Sequence, residues 1–160
     1  MSPQRPSLKG RALRYLAARE HSRAELAARL APHVGADDPP GAVERVLDEL
    51  AAKGFINEAR VAESVLHRRA GRLGGARVLH ELRAKGLSPE LLADAAEQLR
   101  GTELARAREV WRKKFGQPPA DAAERARQLR FLAARGFSGD IARRAVGAPH
   151  EHEDDDTSAA

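Results

Sequence analysis

Apolar positions along this chain recur every three or four residues, and three of the resulting segments close with the same hexapeptide, Leu-x-x-Lys/Arg-Gly-Phe/Leu. Its copies occupy residues 50–55, 82–87 and 132–137. A spacing of three and four residues predicts amphipathic helices. Glycine adopts the left-handed conformation just past a helix at little cost, and the next apolar residue can fold back onto the leucine one turn earlier. Each hexapeptide is therefore predicted to form a corner between two packed helices.

The second and third corners belong to a longer internal repeat. Residues 81–96 match residues 131–146 in chemical class at most positions. In both copies the corner glycine is followed two residues later by a serine, Ser88 or Ser138, which is placed to cap the next helix. Self-similarity over a helix, a corner and a second helix is typical of repeat proteins.

Capping and breaking signals divide the chain into nine short predicted helices. Ser22 and Glu25 form a capping-box pattern at the start of helix two, which is expected to bury Val34. Asn57 is expected to cap helix four, which runs to about residue 70. Gly101-Thr102 is interpreted as a stop followed by a start, which separates helix six from helix seven.

The nine helices fall into three groups of three. A helix triplet of this size buries little by itself, so stacked neighbours are expected to share one continuous core, as in solenoids. The fold class is therefore predicted to be all-α, with tandem three-helix repeats. The predicted domains are a disordered N-terminus at 1–7, repeats at 8–56, 57–100 and 101–147, and an acidic disordered tail at 148–160.

Composition supports a helical binding protein with an anionic partner. Aromatic residues make up only 4% of the chain, cysteine is absent, and Ala, Leu, Arg and Glu dominate, which favours helices and a reducing cytoplasm. The chain begins with no signal-like segment, and no apolar run reaches membrane length. Residues 1–149 contain 28 basic and 18 acidic residues, a net charge of +10, whereas the tail contains five acids and no base.

Catalytic and cofactor signatures are missing from the sequence. There is no phosphate-binding loop of the Gly-x-x-x-x-Gly-Lys-Ser/Thr type. The six histidines show no metal-ligand spacing, and no nucleophile can be paired with a base. The sequence therefore predicts a binding protein that is not an enzyme and has no catalytic residue, metal or cofactor.

Basic clusters are the most informative polar features. An Ala- and Arg-rich helix can use arginine simply as a solvated helix former, but several clusters together favour a binding surface. Basic residues also crowd predicted helix eight at positions 125, 127 and 130. The residues predicted to contact a partner or DNA are Arg68, Arg69, Arg72, Arg77, Arg112, Lys113, Lys114, Arg143 and Arg144.

Three stretches of the chain resemble the RecX family, the regulators of the RecA recombinase. They lie at residues 53–63 (Lys-Gly-Phe-Ile-Asn-Glu-Ala-Arg-Val-Ala-Glu), 74–87 (from Gly-Gly-Ala-Arg to Lys-Gly-Leu) and 131–138 (Phe-Leu-Ala-Ala-Arg-Gly-Phe-Ser). Their order and separations resemble the family from about Leu8 to Val146. One departure is Val61, where the family usually has phenylalanine.

The resemblance implies an elongated, curved array of three tandem three-helix repeats that binds along the groove of the RecA–DNA filament. Such a protein would limit filament growth, ATP hydrolysis, strand exchange and stimulated repressor cleavage. The implied partners are RecA and the RecA–DNA filament, in the setting of DNA repair, recombination and the SOS response. A cytoplasmic monomer without membrane contact is expected, and weak direct binding to DNA stays open.

Two other readings compete with this one. A winged-helix transcriptional regulator fits helices one to three and predicts a β-hairpin wing just after Ile56. An enzyme acting on nucleic acid would need a carboxylate cluster to hold a metal, and the sequence brings none together.

Overall fold

The computed structural model describes residues 4–147, which form eight α-helices and one short 3₁₀ helix and contain no strand. The all-α prediction is thereby confirmed for this part of the chain. The predicted acidic tail at 148–160, and residues 1–3 of the predicted N-terminal segment, lie outside the described residues. The helices are α1 (Leu8–Ala18), α2 (Arg23–Leu30), α3 (Ala42–Ala52), α4 (Glu58–Arg69), α5 (Gly75–Ala84), α6 (Pro89–Lys114), α7 (Ala122–Ala134) and α8 (Gly139–Val146), and the 3₁₀ helix is Ala31–His33.

The predicted break at Gly101-Thr102 is wrong, because α6 continues through it as one helix of 26 residues. Gly101 is exposed, and a Cβ atom there would meet nothing within 4 Å. An interior glycine costs a helix only about 1 kcal/mol relative to alanine. Packing of the flanking segments outweighs that cost, so predicted helices six and seven are a single element.

One prediction for helix two is also wrong, and the rival winged-helix reading lacks its wing. Helix α2 ends at Leu30 because Pro32, which has no backbone N–H, lies in the following 3₁₀ turn. Val34 therefore lies beyond the helix and is 45% exposed, although it was expected to be buried. The hairpin wing required by the winged-helix reading is absent, since the segment after Ile56 forms α4.

Three predicted helix starts, at Ser22, Asn57 and Ser138, are confirmed by their capping bonds. The Ser22 hydroxyl accepts a hydrogen bond from the Glu25 amide, and the Glu25 carboxylate accepts one from the Ser22 amide, so the capping box is complete. Asn57 Oδ1 accepts from the Arg60 amide at 3.0 Å, and Ser138 caps α8.

The three corners adopt the predicted left-handed glycine conformation, with φ angles of 77° at Gly54, 72° at Gly86 and 91° at Gly136. The Phe55 amide donates to the Leu50 carbonyl at 2.9 Å, and residue 137 makes the equivalent bond to residue 132 at 3.2 Å. These are the bonds of a Schellman motif. The side chains differ, because the apolar residue that follows glycine is buried in the second and third corners but 47% exposed at the first.

The described residues divide into two compact units, which we call the N-terminal unit (4–69 and 78–98) and the C-terminal unit (70–77 and 99–147). Each unit has a buried apolar cluster of its own. In the N-terminal unit the cluster consists of Leu8, Ala12, Leu26, Leu30, Val43, Leu47, Leu50 and Ile56. In the C-terminal unit it consists of Ala107, Val110, Leu132, Phe137, Ala142 and Val146. Among the described helices, none combines the length and the apolarity that crossing a membrane would require.

Candidate functional site

Positive charge is concentrated in the C-terminal unit. The described part of that unit contains 14 basic and 5 acidic residues, a net charge of +9, whereas the N-terminal unit contains 14 basic and 13 acidic residues, a net charge of +1. A strongly basic surface attracts polyanions such as nucleic acid. The candidate site is therefore the surface of the C-terminal unit.

The ion pairs observed in the described part of the C-terminal unit each lie within a single helix. Arg112 and Lys113 share Glu109, at 2.7 and 3.7 Å. The hydrogen bond from Arg112 lowers the pKa of the Glu109 carboxyl. Two further pairs, Arg127–Glu124 and Arg144–Asp140, have N–O distances of 3.0 and 3.9 Å. Exposed ion pairs of this kind are weak, and they leave the basic groups accessible to a partner.

A half-buried arginine of α6 fixes the loop before α5. Arg106 donates to the carbonyl oxygens of Ala70 and Leu73 at 2.8 and 2.7 Å, and to that of Leu99 at 3.0 Å. Its Nε atom also donates to the Thr102 hydroxyl at 3.0 Å. Burial lowers the pKa of the Arg106 guanidinium, which nevertheless stays charged because an arginine pKa is so high. Arg106 is thus structural and is not available to a ligand.

The second and third stretches of the sequence motif meet in this unit. The Gly74 amide donates to the Arg135 carbonyl at 2.8 Å. A Cβ atom at Gly74 would overlap the backbone of Gly136 and Phe137, and one at Gly136 would overlap the side chain of Arg77. Glycine is therefore required at both positions because the two backbone segments approach so closely.

A cluster of cations and aromatic rings lies where the end of α6 meets α7. Phe115 and Phe131 form an edge-to-face pair with ring centroids 5.3 Å apart. Lys114 and Arg135 lie over the Phe131 ring at 5.6 and 4.9 Å, and Arg127 lies over the Phe115 ring at 5.7 Å. Cations interleaved with partly exposed rings suit the backbone and bases of single-stranded nucleic acid. We call these five residues the cation–aromatic cluster.

The predicted contact residues are all exposed but do not all lie in one unit. Arg68 and Arg69 belong to α4 in the N-terminal unit, where Arg69 pairs with Glu81 at 3.3 Å. The other seven belong to the C-terminal unit. Among these, Arg77 is held by a hydrogen bond to the Ala134 carbonyl at 2.8 Å, which leaves less of its guanidinium for a partner. Whether any of the nine contacts a partner stays a prediction.

Sequence reasoning missed most of the cation–aromatic cluster, naming only Lys114 of its members as a contact residue. The signal was available, because Arg127, Phe131 and Arg135 are spaced four residues apart and so share one face of α7. Exposed Arg130 was recognised as basic but was not predicted as a contact residue. In the part of the chain that the structure describes, its side chain forms no ion pair.

The N-terminal unit contains an open groove of about 460 Å³ between α4 and α6. Its polar lining consists of Glu63, His67, Asp94 and Gln98, above a floor of alanine and leucine. No group of three or more potential metal ligands occurs anywhere in residues 4–147. The groove therefore does not define a metal centre.

The fold and charge define an all-helical protein that has a basic C-terminal surface and matches models of tandem three-helix domains. Residues 57–95 match the model of the second three-helix domain of RecX, and residues 102–146 match that of the third. The regulatory protein RecX of Leptothrix cholodnii is 59% identical over 160 residues, which cover 98% of this chain and all of that protein. The chain belongs to the RecX family of regulatory proteins.

Other comparisons agree with this assignment. The regulatory protein RecX of Ralstonia nicotianae is 50% identical over 145 residues, which cover 90% of this chain and 89% of that protein. The crystal structure of RecX from Lactobacillus salivarius superimposes with a TM-score of 0.72 at 19% identity, covering 87% of this chain and 92% of the other. At that identity the likeness shows the fold alone.

Proposed function

We propose that this protein regulates RecA by binding the RecA–DNA filament, and that it inhibits filament growth, ATP hydrolysis, strand exchange and repressor cleavage. Membership of the RecX family supports RecA as the partner. The observation that carries the proposal for this chain is the charge of +9 on the C-terminal unit. A filament that contains DNA presents a dense row of phosphates, which such a surface attracts.

The basic surface of the C-terminal unit faces phosphates of the filament in this proposal. Exposed arginines with no tertiary role, such as Arg130, Arg143 and Arg144, are free to bind phosphate. The cation–aromatic cluster would stack on bases where the strand is unpaired.

The first test measures RecA ATP hydrolysis on single-stranded DNA, with this protein added at a small fraction of the RecA concentration. We expect the hydrolysis rate to fall, because blocking filament growth at a few sites affects many RecA subunits. A rate that does not change, together with no retention of the protein on RecA–DNA filaments, would overturn the proposal.

The second test compares two matched triple variants in their affinity for the filament at several salt concentrations. Replacing Arg130, Arg143 and Arg144 by glutamine is expected to weaken binding about tenfold or more. Each lost phosphate contact is also expected to reduce the salt dependence of log K by about 0.7 to 0.9. The control replaces three exposed arginines of the N-terminal unit, Arg5, Arg14 and Arg83, which make no ion pair with any described residue. Equal effects of the two variants would refute a role for the C-terminal surface.

A further inference from the structure

The second corner of the chain is covered by the beginning of another helix. The Ser22 hydroxyl, at the start of α2, donates to the Lys85 carbonyl at 2.6 Å. A Cβ atom at Gly86 would approach the methyl group of Ala24 to 2.9 Å, so the two residues are already in close contact. Lys85 and Glu25 form an ion pair at 3.0 Å, with side chains only 14% and 15% exposed. The first turn of α2 thus covers the glycine, the carbonyl and the cation of this corner.

The third corner is covered in the same way by the beginning of α5. The backbone amide of Gly74 donates to the Arg135 carbonyl, and the aliphatic stem of Arg77 lies against Gly136. The guanidinium of Arg77 donates to the Ala134 carbonyl at 2.8 Å. In both cases a helix N-terminus donates a hydrogen bond to the carbonyl just before the corner glycine and packs a carbon atom on that glycine.

The first corner has the same sequence pattern and the same backbone, but no helix N-terminus among the described residues covers it. A Cβ atom at Gly54 would meet no atom within 4 Å. The Lys53 carbonyl accepts no hydrogen bond from residues 4–147. Phe55 is 47% exposed, whereas the equivalent Leu87 and Phe137 are 6% and 3% exposed. A carbonyl, a glycine and an aromatic ring are therefore presented together to solvent.

From this comparison we propose that the first corner is a docking site for the first turn of a helix of another protein. The docked helix begins with a Ser or Thr cap whose hydroxyl donates to the Lys53 carbonyl. A small residue in its first turn lies over Gly54. An apolar side chain from its first turn covers Phe55. The assignment of RecA as that other protein rests on the proposed function.

The charge of the corner favours an acidic residue in the first turn of the docked helix. Lys53 lies at the corner itself and shares Glu49 with Lys9. Arg60 pairs with Glu20 and donates to the Gly54 carbonyl at 2.9 Å, so these three cations exceed the two carboxylates by one charge. At the second corner the same role is filled by Glu25, which pairs with Lys85. Acidic residues are also favoured in the first turn by the helix dipole, so one carboxylate would serve both interactions.

A peptide copy of the segment that covers the second corner tests the geometry without RecA. A helix-stabilised peptide of residues 20–33 is titrated into the isotope-labelled full-length chain of 17.4 kDa, and amide shifts are followed by NMR. We expect saturable shifts concentrated at residues 53–56, because the second corner is already occupied by α2 of the chain itself. The control peptide carries Ser22→Ala and Glu25→Gln, which remove the donor and the carboxylate, and it should bind about tenfold more weakly.

Chain variants locate the binding. Phe55→Ala is expected to weaken binding of the peptide about tenfold, since truncating an anchoring aromatic residue typically has an effect of that size. Val34→Ala removes the other large exposed apolar residue of the described chain and should change nothing. The absence of saturable shifts at 53–56 in the unmodified chain, or equal binding by the Phe55→Ala chain, would overturn the docking site.

Filament binding identifies the partner separately. If RecA supplies the helix, Phe55→Ala weakens retention on RecA–DNA filaments about tenfold, while binding to single-stranded DNA alone and its salt slope are unchanged. If the peptide binds but RecA–DNA filaments retain the unmodified chain and the Phe55→Ala chain equally well, RecA is not the partner that docks at this corner. If the unmodified chain fails to bind the filament at all, the proposed function is wrong, and the peptide titration still decides whether the corner docks a helix.

Discussion

The two units of this protein contain equal numbers of basic residues but use them differently. In the N-terminal unit, most ion pairs join residues from different helices or from the loops beside them: Lys9 with Glu49, Arg23 with Asp48, Arg60 with Glu20, and Lys85 with Glu25. All four ion pairs observed in the described part of the C-terminal unit join residues three or four positions apart on one helix. Acids therefore neutralise the first unit while their ion pairs help to assemble it, whereas in the described part of the second unit no ion pair joins separate elements.

The C-terminal unit is assembled instead by arginines that donate to backbone carbonyls. Arg106 donates to the carbonyls of residues 70 and 73, Arg77 to that of residue 134, and Arg125 to that of residue 147. All four distances lie between 2.7 and 2.8 Å. A carbonyl satisfies a guanidinium N–H without removing its charge, so the unit is held together and remains strongly cationic. The comparison shows how a small helical unit can be stable and still present a surplus of positive charge to a polyanion.

The largest expected effect tests this arginine-to-carbonyl assembly. Replacing Arg106 by methionine leaves the loop carbonyls of Ala70 and Leu73 without a donor. We expect a loss of about 2 to 3 kcal/mol in the free energy of unfolding, because each of the two orphaned acceptors costs about 1 kcal/mol or more. Trp111, the single tryptophan, lies in the C-terminal unit, so its fluorescence in a urea titration reports on this unit.

Arg108→Met is the matched control, since this arginine is exposed on the same helix and makes no ion pair within residues 4–147. It should change the stability by less than about 0.5 kcal/mol. The loss at Arg106 should also persist at high salt, because its acceptors are uncharged. A loss of stability that disappears in 1 M salt would mean that Arg106 acts through long-range charge. It would contradict the view that Arg106 stabilises the unit through hydrogen bonds to carbonyls.

Local signals in the sequence predicted the local structure well. The Ser22–Glu25 capping box and the glycines of the three corners were identified because each depends on residues only a few positions apart. Gly101 was misinterpreted for the opposite reason. Whether a glycine ends a helix depends on packing of the segments to either side, and that information lies outside the local sequence.

The candidate site was only partly predictable. Clusters of arginine could be read from the sequence, but the difference between an arginine that is free and one that is committed could not. Arg77 and Arg130 look alike in the sequence, yet Arg77 is bound to a carbonyl 57 residues away and Arg130 is not. The role of Gly74 likewise depends on its contact with Gly136, a long-range approach that no local pattern encodes.

The second expected effect concerns the most buried ion pair of the N-terminal unit. Burial raises the pKa of the Glu25 carboxyl, but hydrogen bonds from Arg19, Lys85 and the Ser22 amide outweigh it and lower the pKa from 4.5 to about 2. A carboxyl whose pKa is lower in the folded state stabilises the fold above its unfolded pKa, and the contribution is lost as the pH falls through the folded value. The stabilisation is thus complete above about pH 4.5 and disappears toward pH 2.

Glu25→Gln measures this contribution, because glutamine preserves the capping box and removes only the charge. The free energy of unfolding, followed by circular dichroism, should be about 2 kcal/mol lower than that of the unmodified chain at pH 7. The difference should shrink between pH 4.5 and pH 2. The control is Glu63→Gln, at an exposed carboxylate with no ion pair in the described residues, which should show no comparable pH-dependent difference. A Glu25→Gln deficit that stays constant down to pH 2 would contradict the ion-pair explanation.

The smallest expected effect concerns Gly101, just past the point where α6 passes from the N-terminal unit into the C-terminal unit between residues 98 and 99. The glycine is exposed and has open space around it, so an alanine fits without contact. Gly101→Ala should stabilise the chain by about 0.5 to 1 kcal/mol, because alanine loses less backbone entropy on entering a helix.

Gly74→Ala is the opposing control, because its Cβ atom would overlap the backbone of Gly136, and it should destabilise the C-terminal unit strongly. Urea titrations followed by circular dichroism and by Trp111 fluorescence measure both variants. If Gly101→Ala shifts the two signals together, the helix couples the stabilities of the two units. If it destabilises the chain, α6 is interrupted at this residue in solution, as the sequence alone suggested.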